Sequence, residues 1–217
     1  MPKILSAEDI ADFRAELCRV ATDRFARYGY DGVTMRQLAD DLGCSPKTPY
    51  RYFKDKDEIL AAVRADAFRR FADALEAEAK LHPDPAKRAR AVGQAYLDFA
   101  LANPAAYRIM FDVHRAEDTG HPELARESKR ARGFITRQAE DMAAVGLVDG
   151  DPRVVGYAMW AAVHGLVVLR LAGFLADEAG FRDLHAATMR LIARGAPPGS
   201  RRRCCWPAAA RAGPTRP

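Results

Sequence analysis

Apolar side chains recur three or four positions apart along most of this chain, the spacing at which residues share one face of a helix. Ile10, Phe13, Leu17, Val20, Ala21, Phe25 and Tyr28 form the first stripe, opened by Ser6 as a cap and closed by Gly29. Thr34 and Gln37 stand at the spacing of a capping box, so a short second helix starts there, carries Leu38, Ala39 and Leu42, and stops at Gly43. Ser45 is placed to cap a third helix, with Pro46 at its first position, where a missing N–H is harmless. Asp55 then caps a long helix running from Lys56 to about Lys80 through Ile59, Leu60, Val63, Ala67, Phe71 and Leu75.

His82-Pro-Asp-Pro85 interrupts the pattern, because a proline disfavours helix at the residue before it, and a domain boundary close to residue 80 follows. A helix over about 86–102 carries Val92, Tyr96, Phe99 and Ala100; Asn103-Pro104 stops it and starts a short apolar segment over 105–111. Residues 114–122 read as a loop, and 123–144 as a mostly polar helix with Leu124, Phe134, Ile135 and Met142. The most apolar stretch covers 154–176, and a last helix bearing Leu184, Ala187, Met189, Leu191 and Ile192 ends near Gly195. The pattern predicts an all-α protein of about nine helices. Its expected parts are a three-helix helix-turn-helix domain over 1–55, a connecting helix over 56–80, a larger helical domain over 81–194, and a disordered basic tail over 195–217.

At 23 residues, the stretch 154–176 is long enough to span a bilayer. His164 and Arg170 inside it, three glycines and the lack of flanking anchors argue against a membrane. A helix apolar nearly all round is better explained by burial on both sides, against its own domain and against a second subunit. With the last helix it would build a four-helix homodimer interface.

Composition adds little to this picture; charge adds more. With 49% apolar residues in 217, the chain can bury a substantial core. The net charge of +5 equals the five arginines of residues 195–217, which include no acid, so the global charge is no argument for nucleic acid. Cys18, Cys44, Cys204 and Cys205 form no C-x-x-C pair and suggest no disulfide framework, and the polar N-terminus is not a secretory signal; a cytoplasmic protein is expected. The spacing of His114, Glu117, Asp118 and His121 is common in loops by chance, so neither a metal nor a cofactor is expected.

Local charge is more telling. Between Gly43 and Lys56, four basic residues stand against Asp55 alone. Lys47, Thr48, Tyr50, Arg51 and Tyr52 bring charge, hydroxyls and aromatic faces to the second helix of a helix-turn-helix, the one that enters a DNA major groove. The plain alternative is a solvated basic face on an ordinary helical protein.

Gly29-Tyr-Asp-Gly-Val-Thr34, Leu38-Ala-Asp-Asp-Leu-Gly43, Ser45, Tyr50-Arg-Tyr-Phe53 and Lys56-Asp-Glu-Ile-Leu60, in that order, resemble the DNA-binding domain of TetR-type transcriptional regulators. Trp160-Ala-Ala-Val-His164-Gly165 is similar to the Trp-x-x-x-His-Gly (WHG) signature of one C-terminal domain class in that family, and Tyr107-Arg-Ile-Met-Phe111 to an earlier segment of the same class. The resemblance implies an all-helical homodimer that binds double-stranded operator DNA and usually represses transcription until a small molecule binds the larger domain. By the same resemblance Thr34, Tyr50, Tyr52 and Lys56 would hold phosphates, Ser45 would open the recognition helix, and Lys47 and Thr48 would reach base edges, with Arg51 left unassigned. The chain departs from the common family pattern at Lys47, where many members have a small residue, and at Pro49, where many have a large aliphatic one. Pro49 falls at the fourth helical position, where it removes the first internal hydrogen bond and should distort the recognition helix.

An effector pocket is expected within residues 85–176, with Tyr107, Phe111, Trp160 and His164 as aromatic walls and polar handles for an apolar or aromatic molecule; the same four residues would also suit a core. The function expected is that of a ligand-responsive, homodimeric repressor released from a palindromic operator. Two other readings stay open: a helix-turn-helix that serves protein contacts, and an enzyme using His164 or His114 as a base. No paired carboxylates, nucleophile elbow or phosphate loop favours the enzyme.

Overall fold

A computed structural model describes residues 6–111, 120–175 and 177–194. Among them are eight α-helices, one turn of 3-10 helix and no strand. In order these are α1 (Ala7–Tyr28), α2 (Met35–Asp41), the 3-10 turn (Pro49–Arg51), α3 (Lys56–Leu81), α4 (Pro85–Ala102), α5 (Pro104–Met110), α6 (Pro122–Ala144), α7 (Pro152–Leu171) and α8 (Glu178–Arg194). The expected loop residues His114, Glu117 and Asp118 and the tail over 195–217 lie outside the described residues. No cluster of three or more His, Cys, Asp or Glu side chains among the described residues is placed to hold a metal ion.

The helix starts follow the local chemistry. Ser6 and Asp9 exchange side-chain-to-backbone bonds of 2.9 and 3.0 Å, and Thr34 and Gln37 do the same at 2.9 and 3.2 Å, so two capping boxes satisfy amides that the helices themselves leave unpaired. Asp55 accepts the Glu58 N–H at 2.9 Å and Asp84 the Lys87 N–H at 2.8 Å. Helices α4, α5, α6 and α7 all begin with proline in the first turn. At the end of α2, Gly43 takes φ 63° while its N–H and that of Cys44 bond back to Asp40 and Ala39 at 3.1 and 3.0 Å, a closure that demands the left-handed conformation.

One expectation fails. Ser45 does not cap an α-helix. The segment after it turns at residues 46–48 and then forms only the 3-10 turn Pro49–Arg51. Proline is the cause: an α-helix capped at Ser45 needs the residue-49 N–H for the Ser45 carbonyl, and Pro49 has none. Thr48 N–H bonds that carbonyl instead, at 2.8 Å, and Arg51 and Tyr52 N–H groups continue the three-residue spacing to Thr48 and Pro49 at 3.0 Å. The Thr48 backbone stays in the helical region, so the chain keeps a helical course with a tighter hydrogen-bond pattern.

Two hydrophobic cores form. Leu17, Ala21 and Phe25 of α1, Leu38 of α2, Phe53, and Ile59, Leu60 and Val63 of α3 close the first. The second gathers Phe68, Phe71 and Leu75 of α3 with Tyr96 and Leu97 of α4, Phe134 of α6, Val163 and Val167 of α7 and Phe181 of α8. Helix α3 therefore serves both, its first two turns in one core and the rest in the other. Helix α5 does so as well: Ile109 is buried with α1 in the first core while Tyr107 and Met110 are buried in the second. Arg130 of α6 ties the back of α3 through Glu76 at 2.7 Å and Asp73 at 2.8 Å, and these two bonds hold its guanidinium firmly protonated.

Replacing Ile109 by alanine removes a fully packed side chain from the first core, and unfolding in urea should lose about 2–5 kcal/mol of stability. Amide exchange should rise in α1, the helix that Ile109 packs against.

Candidate functional site

The basic segment after Gly43 is held from behind by α1 and α3. Pro49 is fully buried, so the residue that shortens the 3-10 turn also sets it into the protein interior. Tyr52 stacks on Phe13 with ring centroids 4.2 Å apart, Arg14 lies 3.9 Å over the Phe53 ring, and its guanidinium donates to the Tyr52 carbonyl. Asp41 of α2 accepts two bonds from Arg24 of α1 at 2.5 and 2.6 Å, which hold the Asp41 carboxyl below the usual range. Both elements of the motif are thus fastened to α1.

The residues singled out from sequence divide into two groups. Lys47, Tyr50 and Arg51 are exposed, as is Ser45, whose hydroxyl lies 3.0 Å from the half-buried Thr48 hydroxyl. These five lie together on one turn, with exposed Lys54 following. Thr34 is exposed and engaged in its capping box. Tyr52 and Lys56, by contrast, are half-buried and engaged with other parts of the protein. Lys56 Nζ donates to the Tyr30 and Val33 carbonyls at 2.7 and 2.8 Å and sits 3.8 Å over the Tyr30 ring. The Tyr30 hydroxyl meets Asp57 Oδ1 at 2.6 Å. Lys56 is a lock between the loop before α2 and the start of α3, with two of its three donors used. Sequence gave no sign of these locks, because partners 26 and 38 residues apart leave no local pattern.

In the larger half, the four candidate pocket residues come together but not around one space. Phe111 and Trp160 line a mainly apolar cavity of about 110 Å³, whereas Tyr107 and His164 border a separate cleft beside α7, sharing only Phe111 with it. Tyr107 is core: its hydroxyl is 2.8 Å from the Tyr96 hydroxyl and 2.7 Å from His164 Nδ1. Burial pushes the Tyr96 hydroxyl up to about 12, raises Tyr107 well above its ordinary value and lowers His164, so all three are neutral at pH 7. This cavity extends beyond residues 85–176, where the sequence places an effector pocket, since α3 contributes Phe68, Phe71 and Leu75 to it and α8 contributes His185 and Met189. Gln138 and His185 are the polar side chains that sequence reading missed; on amphipathic helices they look like ordinary solvent-facing residues.

Residues 17–63 match the family described as bacterial regulatory proteins, tetR family, and residues 89–194 match a tetracyclin repressor-like C-terminal domain. A transcriptional repressor from Corynebacterium jeikeium, AcnR, is 33% identical over 73 residues, 34% of this chain and 38% of that protein. A transcriptional activator from Mycolicibacterium smegmatis, FasR, is 26% identical over 129 residues, 59% of this chain and 58% of its own. The matched region thus spans only about two fifths to three fifths of these curated relatives. A protein of unknown function from Rhodococcus superposes with TM-score 0.67 at 26% identity, over 82% of this chain and 94% of that one. The fatty acid degradation regulator FadR from Bacillus halodurans shares the fold, with TM-score 0.70 at 14% identity over 90% and 99% of the two chains.

Substituting Lys56 by methionine should lower stability by about 1–3 kcal/mol in urea titration, because two buried carbonyls lose a charged donor. Acidification should also destabilise the fold. His164 and His185 are both lowered from 6.5 by burial, so the unfolded chain takes up protons first; the stability they provide is complete above pH 6.5 and is lost as pH falls through their lowered values. The slope of melting temperature against pH below 6.5 should flatten in His164→Gln.

Proposed function

The chain belongs to the tetR family of bacterial regulatory proteins, and on that premise we propose that it is a homodimeric, DNA-binding transcriptional repressor responsive to a small molecule. The observation that carries the reading is the exposed turn Ser45–Arg51, basic and hydroxyl-rich, fixed to α1 by the Phe13–Tyr52 stack and the Arg14 clamp. A rigid, solvent-facing cationic turn at this place suits a DNA groove: Lys47 and Thr48 reach base edges, while Tyr50, Arg51 and the Thr34 hydroxyl meet phosphates. Tyr52 and Lys56 act mainly by holding that turn in place, and Lys56 adds its remaining donor and its charge.

A second copy covers α7 and α8. Val154, Tyr157, Val168 and Leu169 of α7 and Leu184 and Leu191 of α8 are all exposed in the single chain, Val154 at 65% and Leu191 at 72%. The α7 helix is also long and apolar enough to cross a membrane, with 17% of its most apolar window buried. Pairing with its copy accounts for that exposure in a cytoplasmic protein, and a dimer sets the two recognition turns about 34 Å apart, or a multiple, on a palindromic site.

Release is built on α5. Phe111, at the end of α5, lines the cavity, and Ile109, two residues earlier, is buried in the DNA-side core. A ligand that displaces Phe111 moves Ile109 against α1, so the cavity and the recognition turn are linked through one short helix as well as through α3. The ligand needs only to prefer the arrangement that misfits DNA. In this reading His164 is a hydrogen-bond partner of Tyr107, and the chain is not an enzyme.

Fluorescence anisotropy on DNA from upstream of the coding sequence tests the reading. Binding should resist scrambled competitor and weaken steeply with salt. Lys47→Ala should cost about 1–3 kcal/mol on the matched site and little on scrambled DNA. Equal affinity for matched and scrambled DNA from every upstream fragment would sink the proposal.

A further inference from the structure

The cavity bounded by α3, α4, α6, α7 and α8 is mainly apolar, and two buried polar side chains stand out in its lining. Gln138 of α6 and His185 of α8 both line it, each is 9% exposed, and Gln138 Oε1 and His185 Nε2 have no hydrogen-bond partner among the described residues. A buried polar atom left unpaired is costly, and two of them in one apolar space mark where a ligand would compensate. The walls around them are aromatic, with Phe68, Phe71, Phe134 and Trp160 among them. The volume of about 110 Å³ is on the scale of cavities that admit a single benzene ring, too small to bury a long acyl chain.

We infer that this cavity takes a compact, uncharged aromatic molecule bearing a hydroxyl group, a phenol, with the ring against the aromatic wall and the hydroxyl at Gln138 and His185. The inference deepens the effector reading above and rests on it for its regulatory consequence. Charge argues for neutrality. No carboxylate lines the cavity among the described residues, so a cation has no counterion there. Burial and the neighbouring Arg182 lower His185, which keeps the imidazole neutral and leaves an anion equally unmatched at depth. Arg132 also borders the space, but it is exposed, at the rim, and donates to Ser128 Oγ at 3.3 Å. A hydroxyl is the smallest uncharged group that donates to an amide oxygen and can also pair with an imidazole nitrogen. Space at that nitrogen is kept by Gly93 of α4: a Cβ there would stand 3.5 Å from His185 Cε1 and 3.8 Å from Nε2.

The test uses the full chain carrying Trp206→Phe, which leaves Trp160, in the cavity wall, as its one tryptophan. Its emission and calorimetry are followed against para-cresol, toluene, para-toluate and decanoate. Para-cresol should bind about tenfold tighter than toluene, the worth of one hydrogen bond, and the two anions more weakly still. Gln138→Leu should remove most of the preference for cresol over toluene while toluene binding persists. Gly93→Ala, which adds a methyl at ordinary contact distance and favours the helix, should weaken cresol with the melting temperature unchanged or raised. Toluene, toluate or decanoate binding as tightly as cresol, absence of cresol binding, or a cresol-to-toluene ratio unmoved by both variants would overturn the inference. Anisotropy on operator DNA in the same samples separates the two ideas. Cresol that fills the cavity without releasing DNA upholds the phenol site and refutes the effector role; DNA release by molecules that leave Trp160 untouched and cresol unbound does the reverse.

Discussion

Helix α3 belongs to two hydrophobic cores at once, and the rest of the structure depends on that sharing. Eleven of its side chains from Ile59 to Leu75 are buried, including Ala61, Ala65 and Ala67, whose small size lets helices approach from more than one side. A helix so enclosed cannot rotate or slide without disturbing packing at both ends, because close-packed interiors have few alternative arrangements. Helix α5 adds a second crossing, shorter and sharper, with Ile109 in one core and Tyr107 and Met110 in the other. The ion pairs of Arg130 with Asp73 and Glu76 fix α6 to the same central helix. The geometry that would carry a signal is therefore the geometry that holds the fold.

Proline 49 shows how one covalent constraint has two consequences. It deletes the amide that an α-helix from Ser45 would use, and the chain answers with three-residue hydrogen bonds. Its apolar ring is fully buried and anchors the shortened turn in the interior. Support from outside comes just after the turn, where Arg14 donates to the Tyr52 carbonyl and Phe13 stacks on the Tyr52 ring.

The larger half handles its buried polar groups in two ways. Tyr96, Tyr107 and His164 form a chain in which each member satisfies the next, and Tyr96 also meets the Trp160 side chain. Such a chain specifies a single arrangement of α4, α5 and α7. Gln138 Oε1 and His185 Nε2 have no such partner among the described residues, and the two side chains lie where α6 and α8 face the cavity. The contrast separates polar groups that complete the core from polar groups that the described core leaves without a partner.

The identity of most helices, the cap at Ser6 and the capping box at Thr34 were determined by sequence alone, because each rests on interactions within four residues. The stripe from Ile59 to Leu75 was legible for the same reason, as was the family likeness carried by Gly29–Leu60. The distortion at Pro49 was legible in kind, because the missing N–H is local, though that it leaves only a single 3-10 turn was seen in the structure. Tertiary structure alone decided that Lys56 faces inward to Tyr30 and Val33, that α5 docks on α1, that Tyr107 and His164 lie outside the cavity lined by Phe111 and Trp160, and that Gln138 and His185 lie within it. Those facts depend on which helix faces cross, and the periodicity of one helix carries no information about the face its neighbour presents.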